Sequence, residues 1–248
     1  MTPNRARSKT RQRAAAVVHQ SLRHLGVDVV RIRHLGDFAT RRALTLRDID
    51  VVVDVGANCG QYGRLVRESG FKGRIVSFEP LEKPFRELER ACQHDVNWEC
   101  FRFALSDHSG PRMMMISANI ASSSLLHLTA DTIDSAPELR PVARVEVETR
   151  TLDEVASEHW SEKDRIFLKL DVQGSELDLL RFARQTLTAV TAMEIELTVL
   201  PLYDGQALIS DVAGHLAQHG YRLAAVEDGY RDLRTGRLEQ LEGLFLRL

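Results

Sequence analysis

The chain has 248 residues, 44% hydrophobic and 27% charged, an ordinary balance for a soluble globular protein and enough length for one sizeable α/β domain. Its formal net charge of −2 gives no overall reason to expect nucleic acid as a partner. That average hides an asymmetry, because residues 1–47 carry eleven Arg or Lys against Asp28 and Asp37 alone, which makes them +9 and the remainder −11. A basic arm on an acidic body suits an anionic substrate, RNA or peripheral contact with a membrane surface; the plainer reading is a solvated basic helix lying on the acidic core. Cys59, Cys92 and Cys100 form no CxxC pair and no metal-ligand spacing, which points to reduced thiols and a cytoplasmic protein. Ala14–Val18 is too short an apolar run for a signal peptide or a transmembrane segment.

Residues 1–10 are polar, basic and without periodicity. Ala14, Val17, Val18, Leu22 and Leu25 recur at helical spacing and predict an amphipathic helix over 11–25, with a second short helix or strand over 37–47. From Ile49 the pattern becomes strands alternating with helices. Val51–Val55 is a nearly continuous apolar run, as in a strand buried on both faces of a parallel sheet. A helix over 60–70 stopped by Gly70, a strand at 74–78, a helix at 82–93 and a strand at 98–105 follow. The long segment 106–165 holds a turn at Ser109-Gly110-Pro111, the run Met113-Met114-Met115, and alternation over Val142–Val147. The segment is expected to build part of a substrate wall, and its Met run reads equally well as edge-strand packing. Further strands are expected at 166–170, 190–197, 221–226 and 244–248, with helices at 175–187 and 207–219. The segment from Gly229 to Glu242 looks like turns and is too short on helix signals for a parallel crossover, so the last strand should run antiparallel. The domain division is a basic helical extension, 1–47, and a catalytic domain, 48–248.

The chemistry concentrates at Asp54-Val55-Gly56-Ala57-Asn58-Cys59-Gly60, a strand-loop-helix junction. Gly56 permits a sharp turn and close approach of a ligand to the backbone, and Gly60 opens the helix. A dinucleotide fingerprint would carry a third glycine where Asn58 stands, and the acid at Asp54 disfavours a diphosphate. That charge suits the sulfonium and ammonium of S-adenosylmethionine. Glu79 follows the second strand, where an acid accepts hydrogen bonds from ribose hydroxyls.

These residues, with Ser77-Phe78-Glu79-Pro80, Ala104-Leu105-Ser106-Asp107, Leu168–Glu176, Glu196-Leu197 and Leu200–Gln206, resemble the motifs of the FkbM family of methyltransferases over about 50–248. The resemblance implies a Rossmann-like class I methyltransferase fold, with a seven-stranded, mostly parallel sheet and an antiparallel last strand. It also implies S-adenosylmethionine as cofactor and O-methylation of a hydroxyl on a sugar, glycolipid or polyketide-type metabolite. Carried over residue by residue, Asp54, Gly56, Asn58 and Gly60 would line the methionine end, Glu79 the ribose, and Ala104 and Asp107 the adenine. Tyr62 would pack near the methionyl side or simply cap its helix. Gln173 stands where the family often has Glu.

Asp171 and Glu196 end adjacent strands at the carboxyl edge, where open α/β sheets bind ligands, and are the candidate catalytic acids. Their structural alternatives are binding of the cofactor's ammonium by Asp171 and helix capping by Glu196. Two acids at one edge also suit Mg²⁺, although no dedicated cage is evident. His127 is an alternative base, or an ordinary surface histidine. Asn119, Ser122 and Ser123 lie in a Ser-rich stretch suited to a polar acceptor or to a solvated turn. Two rivals stand beside O-methylation: an RNA methyltransferase using the basic arm, and a non-catalytic cofactor-binding interaction domain. No aromatic follows the fourth strand to stack a flipped base, which argues against RNA. The acceptor, the hydroxyl modified and the oligomeric state are left open by the sequence.

Overall fold

The computed structural model describes residues 43, 44, 47–161, 163–232 and 235–248. The helix expected over 11–25, the polar segment 1–10 and most of 37–47 lie outside them. Among the described residues, ten strands and seven α-helices are delimited, in chain order. β1 is Val51–Val55, α1 Gln61–Glu68, β2 Arg74–Phe78, α2 Glu82–Cys92, β3 Trp98–Phe101, β4 Ala104–Leu105 and β5 Gly110–Ser117. α3 is Ala130–Ser135, β6 Pro141–Arg150, α4 Leu152–His159, β7 Ile166–Leu170, α5 Glu176–Arg181 and α6 Thr186–Ala189. β8 Val190–Thr198, α7 Ile209–Gln218, β9 Tyr221–Asp228 and β10 Gln240–Arg247 complete the set.

The main sheet has the order β3-β2-β1-β7-β8-β10-β9. β1 pairs in parallel with β2 and β7, while β10 is antiparallel to both β8 and β9, so the expected antiparallel last strand is present. Four valines make β1 a stiff, strand-favouring segment buried on both faces. Val51, Val53 and Val55 enter one core layer with Leu168, Leu170, Leu177 and Leu180. Val52 enters the other with Ile75, Leu88, Trp98 and Phe167. Fully burying side chains of this size contributes about 1.5–3 kcal/mol each. The order of pairing reverses at β1, where β2 lies on one side and β7 on the other, and ligand crevices form at the carboxyl ends of strands at such switch points.

The sequence expectations are revised at four places. The strand expected over 98–105 is two, because β4 leaves the main sheet and pairs with Thr149 and Arg150 of β6 in a second sheet of order β4-β6-β5. The segment 106–165 is more ordered than its composition suggests: β5 and β6 pair antiparallel across a connection that carries α3, and α4 follows, its start fixed by a capping box between Thr151 and Glu154. The helix expected over 175–187 is broken into α5 and α6. β10 begins at Gln240 rather than at Leu244, which moves Glu242 from a turn into the sheet. Among the described residues no helix is long and apolar enough to cross a membrane.

Candidate active site

β1 delivers Asp54 and then the turn Gly56–Gly60 to the carboxyl edge. Gly56 has φ 81°, and a Cβ placed on it would lie 1.8 Å from the carbonyl oxygen of Asp171. The glycine is therefore required by the protein's own backbone: the first loop lies flat on the residue that ends β7, whose N–H donates to the Val55 carbonyl at 3.1 Å. Gly60, also at φ 81°, faces Leu88 and Trp98, which seats α1 on the sheet. Gly63, not singled out by the sequence, is as tightly placed, with the Trp98 ring 2.2 Å from where its Cβ would be. Asn58 takes the left-handed conformation at φ 47°, a strain of roughly 1–2 kcal/mol for a residue with a side chain.

That strain is offset by the bond Asn58 makes. Its N–H donates to Glu79 Oε2 at 3.0 Å, and the N–H of Leu81 donates to Oε1 at 2.8 Å. Both oxygens of Glu79 are thus oriented by main chain, each with a lone pair to spare. Burial pushes the Glu79 carboxyl up to about 7 against these two bonds. Asp54 lies deeper, 1% exposed, beneath the loop. Trp98 Nε1 donates to Ser77 Oγ at 3.0 Å and Ser77 Oγ donates to Asp54 Oδ2 at 3.2 Å, a relay from the indole to the carboxylate. Burial raises Asp54 to about 7.

Beside Asp54 in the sheet register stands Lys169, and beside Lys169 stands Glu194. Lys169 Nζ is 2.6 Å from Glu242 Oε2 and 3.8 Å from Glu194 Oε1, and sits 5.8 Å from the centre of the Tyr62 ring. Burial disfavours the charge on this amine, but Glu242, Asp171 and Glu194 outweigh it and hold the lysine well above its usual range. Tyr62 accordingly belongs to the buried ion layer under the loop, its hydroxyl pushed up by burial and by Glu194.

The two candidate catalytic acids do meet. Asp171, Glu196 and Glu242 each present a carboxylate oxygen within 4.8 Å of the other two. Glu242, which the sequence left in a turn, faces Glu196 across the β8/β10 pairing. Burial raises Glu196 well above its usual range, with Asp171 adding to the effect, and burial raises Glu242 likewise.

Gln173 joins them. Its Nε2 donates to Asp171 Oδ1 and to Glu196 Oε2, both at 2.8 Å. Its Oε1 accepts from the Tyr203 hydroxyl, 2.9 Å away, which leaves the NH₂ to the two acids. The backbone of Gln173 is left-handed, φ 54°, and is held there by Ser124 Oγ, which donates to its carbonyl at 2.6 Å. The Val172 and Gly174 N–H groups donate at 3.1 Å to Glu176, a carboxyl that burial raises to about 7.

The Ser-rich stretch approaches this clamp from the other side. The Tyr203 hydroxyl is also within 3.0 Å of the Ser122 carbonyl. Ser123 is buried and its hydroxyl accepts from Ser117 N–H, while Asn119 is exposed and donates to Ser122 Oγ. Ser122 thus reaches the clamp through its carbonyl, Asn119 holds the Ser122 hydroxyl, and Ser123 supports the turn. Ala104 is buried with Leu81, Met114 and Val147. Asp107 is held by Ser106, Arg112 and His108, which keep it below the usual carboxylate range against the opposing effect of burial. His127 is exposed, and its carbonyl receives the Asp204 N–H; among the described residues no hydrogen bond or ion pair joins its ring to the acids.

The geometry therefore consists of a glycine loop docked on the Asp171 backbone, an oriented acid at Glu79 and a clamped pair of acids. The profile of the methyltransferase FkbM domain matches residues 54–223, which run from the first of these acids past the last helix. The chain belongs to the FkbM methyltransferase family. Asp54, Gly56, Glu79, Asp171, Gln173 and Glu196 all fall inside the stretch that defines the family here. A Streptomyces tacrolimicus protein, 31-O-demethyl-FK506 methyltransferase FkbM, is 27% identical over 212 residues, covering 76% of this chain and 78% of that one. Among solved structures, an rRNA methylase from Streptococcus thermophilus is similar at TM-score 0.47 and 12% identity, over 88% of this chain and 99% of that one. An S-adenosylmethionine dependent methyltransferase from Mesorhizobium loti is similar at TM-score 0.47 and 13% identity, over 86% and 99%. At these scores the fold stands on the strand order and registers above, not on the likeness.

Proposed function

We propose that the protein is an O-methyltransferase that uses S-adenosylmethionine to methylate a hydroxyl of a sugar, glycolipid or polyketide-type acceptor. The observation that carries the reading is the charge balance at the carboxyl edge. Asp54, Glu79, Asp171, Glu196 and Glu242 lie at this edge with, among the described residues, one buried cation, Lys169, and burial raises the carboxyls of Asp54, Glu79, Glu196 and Glu242. A site so short of positive charge fits a ligand that brings a sulfonium and an ammonium. S-adenosylmethionine supplies an already activated methyl group, and the protein's own task is positioning and proton removal.

Glu79, oriented by Asn58 and Leu81, offers its free lone pairs to a pair of neighbouring hydroxyls such as those of a ribose. Asp171 is the proposed base. Gln173 occupies its Oδ1 and leaves Oδ2 to accept the acceptor's hydroxyl proton. Asn119 and Ser122 are the proposed polar contacts to the acceptor, and Ala104 and Asp107 remain the proposed neighbours of the adenine. The Gln173 amide supplies donors between Asp171 and Glu196, so the proposal is drawn without Mg²⁺. The match to a relative named 31-O-demethyl-FK506 methyltransferase supports an oxygen acceptor.

The test pairs calorimetry with turnover. Titration should show S-adenosylmethionine binding, and a panel of glycolipids, free sugars and polyketides should reveal a methylated acceptor. Asp171→Asn should bind cofactor within a few-fold of wild type yet lose about 10²–10⁴ in turnover. No binding at millimolar cofactor would sink the cofactor reading, and undiminished turnover in Asp171→Asn would remove the base.

A further inference from the structure

The β5/β6 pair that precedes α4 has an unfinished edge. In the second sheet β5 covers one side of β6 along its length, while on the other side β4 reaches only Thr149 and Arg150. Among the described residues, Pro141–Glu148 has no strand on that side. Arg150 turns its carbonyl to it, accepting from the Ser106 N–H at 2.9 Å, and by strand alternation Glu148, Glu146 and Arg144 turn their N–H and C=O groups the same way. Pro141 through Glu146 are all exposed, Val142 at 66% and Val145 at 40%.

We propose that a second copy of this chain completes the edge, with β6 pairing antiparallel to β6 about a two-fold axis at Val145. Three observations select that occupant and that register. The first is charge. With the axis at Val145, Arg144 of each copy stands opposite Glu146 of the other, so two unlike pairs form by symmetry, and Ala143 stands opposite Val147. Shifting the axis by one residue to Arg144 or Glu146 sets like charges face to face, and a continuous antiparallel sheet admits no axis between residues. The second is that neither Arg144 nor Glu146 has an ion-pair partner among the described residues. The third is continuity of the apolar layer. Val147, in the same row as Val145, is buried with Leu81, Ala104 and Met114, and Val145 lies directly across from Met114. That layer ends abruptly at the exposed Val145, and the same residue of the second copy extends it.

Charges on an open edge also serve to keep strands from pairing, so the rival outcome is a monomer. Sedimentation velocity across the micromolar range should show a concentration-dependent dimer of the full chain. Glu146→Arg should raise the dimer dissociation constant by at least about tenfold, since both cross-strand pairs become repulsive. The double variant Arg144→Glu/Glu146→Arg reverses both charges and should restore dimerisation to near the wild-type value. These positions are exposed, and an unchanged thermal melt of each variant confirms that folding is intact. A wild-type monomer at every concentration, a dimer indifferent to Glu146→Arg, or a double variant no better than the single one would each overturn the proposal.

Discussion

Replacing Lys169 with Met tests the ion layer beneath the loop most directly. Met keeps the length and apolar stem of the lysine but removes the charge that lies 2.6 Å from Glu242 and 3.8 Å from Glu194. The lysine side chain is only 7% exposed, so water cannot take its place. Removing one partner of a buried ion pair typically costs about 3–5 kcal/mol, because the remaining charge is stranded. Against a total stability of about 5–15 kcal/mol, that loss is large but survivable. Its pH dependence follows from the stranded acids. Without Lys169 the carboxyls of Glu242 and Asp54, already raised by burial, hold their protons to still higher pH in the folded protein. Acids whose folded pKa is raised favour the fold below their unfolded pKa of about 4, and that contribution is lost as pH rises through the folded value. The gap between Lys169→Met and wild type should therefore be widest near pH 8 and narrow toward pH 5. Urea unfolding followed by circular dichroism at both values measures it. A loss below about 1 kcal/mol at pH 8, or a gap that grows on acidification, would show that the lysine does not balance these carboxylates.

Gly56→Ala should cost more than about 2 kcal/mol, because a left-handed backbone strains any side chain and the new carbon would meet the carbonyl of Asp171, a residue tied to β1 by its N–H bond to Val55. Equilibrium unfolding that matches wild type would mean the loop can lift from Asp171. Asp54→Asn keeps an acceptor for Ser77 Oγ and removes the titration. In wild type, Asp54 favours the fold below its usual value of 3.8 and withdraws that support as pH rises through about 7. The fall of melting temperature with pH across that window should become shallower in the variant, though not flat, since Glu79 titrates in the same range. An unchanged slope would place the titration elsewhere.

What could be read from the sequence was set by how locally each feature is encoded. β1, its loop and Glu79 are announced by a run of valines, two glycines and an acid within about thirty residues, and they stand where the pattern put them. Glu242 was hidden because Gln240-Leu241-Glu242 is too polar to signal a strand; only pairing with β8 makes it one. The break after Arg181 has no proline or glycine at its hinge, so a helical pattern ran through it unmarked. Gln173 stood out only as a departure from the family's usual Glu, with nothing in the sequence to show what its amide holds. Its importance comes from three long-range partners, Glu196, Tyr203 and Ser124, that no spacing relates to it. By contrast, the capping box at Thr151 and Glu154 is a local sign of α4 that the sequence does carry.

The chain from Trp98 through Ser77 to Asp54 also has an optical consequence. Trp98 is one of only two tryptophans in the protein, and its ring is wedged against Gly63 at the foot of the helix that follows the glycine loop. Indole emission responds to nearby charge and to the strength of the N–H bond, and here that bond leads in two steps to a carboxyl titrating near pH 7. The protein thus carries a built-in fluorophore wired to the buried acid of its loop. With Trp160 replaced, Trp98 is the single tryptophan, and the part of its pH-dependent emission that Asp54→Asn abolishes should report the protonation of Asp54.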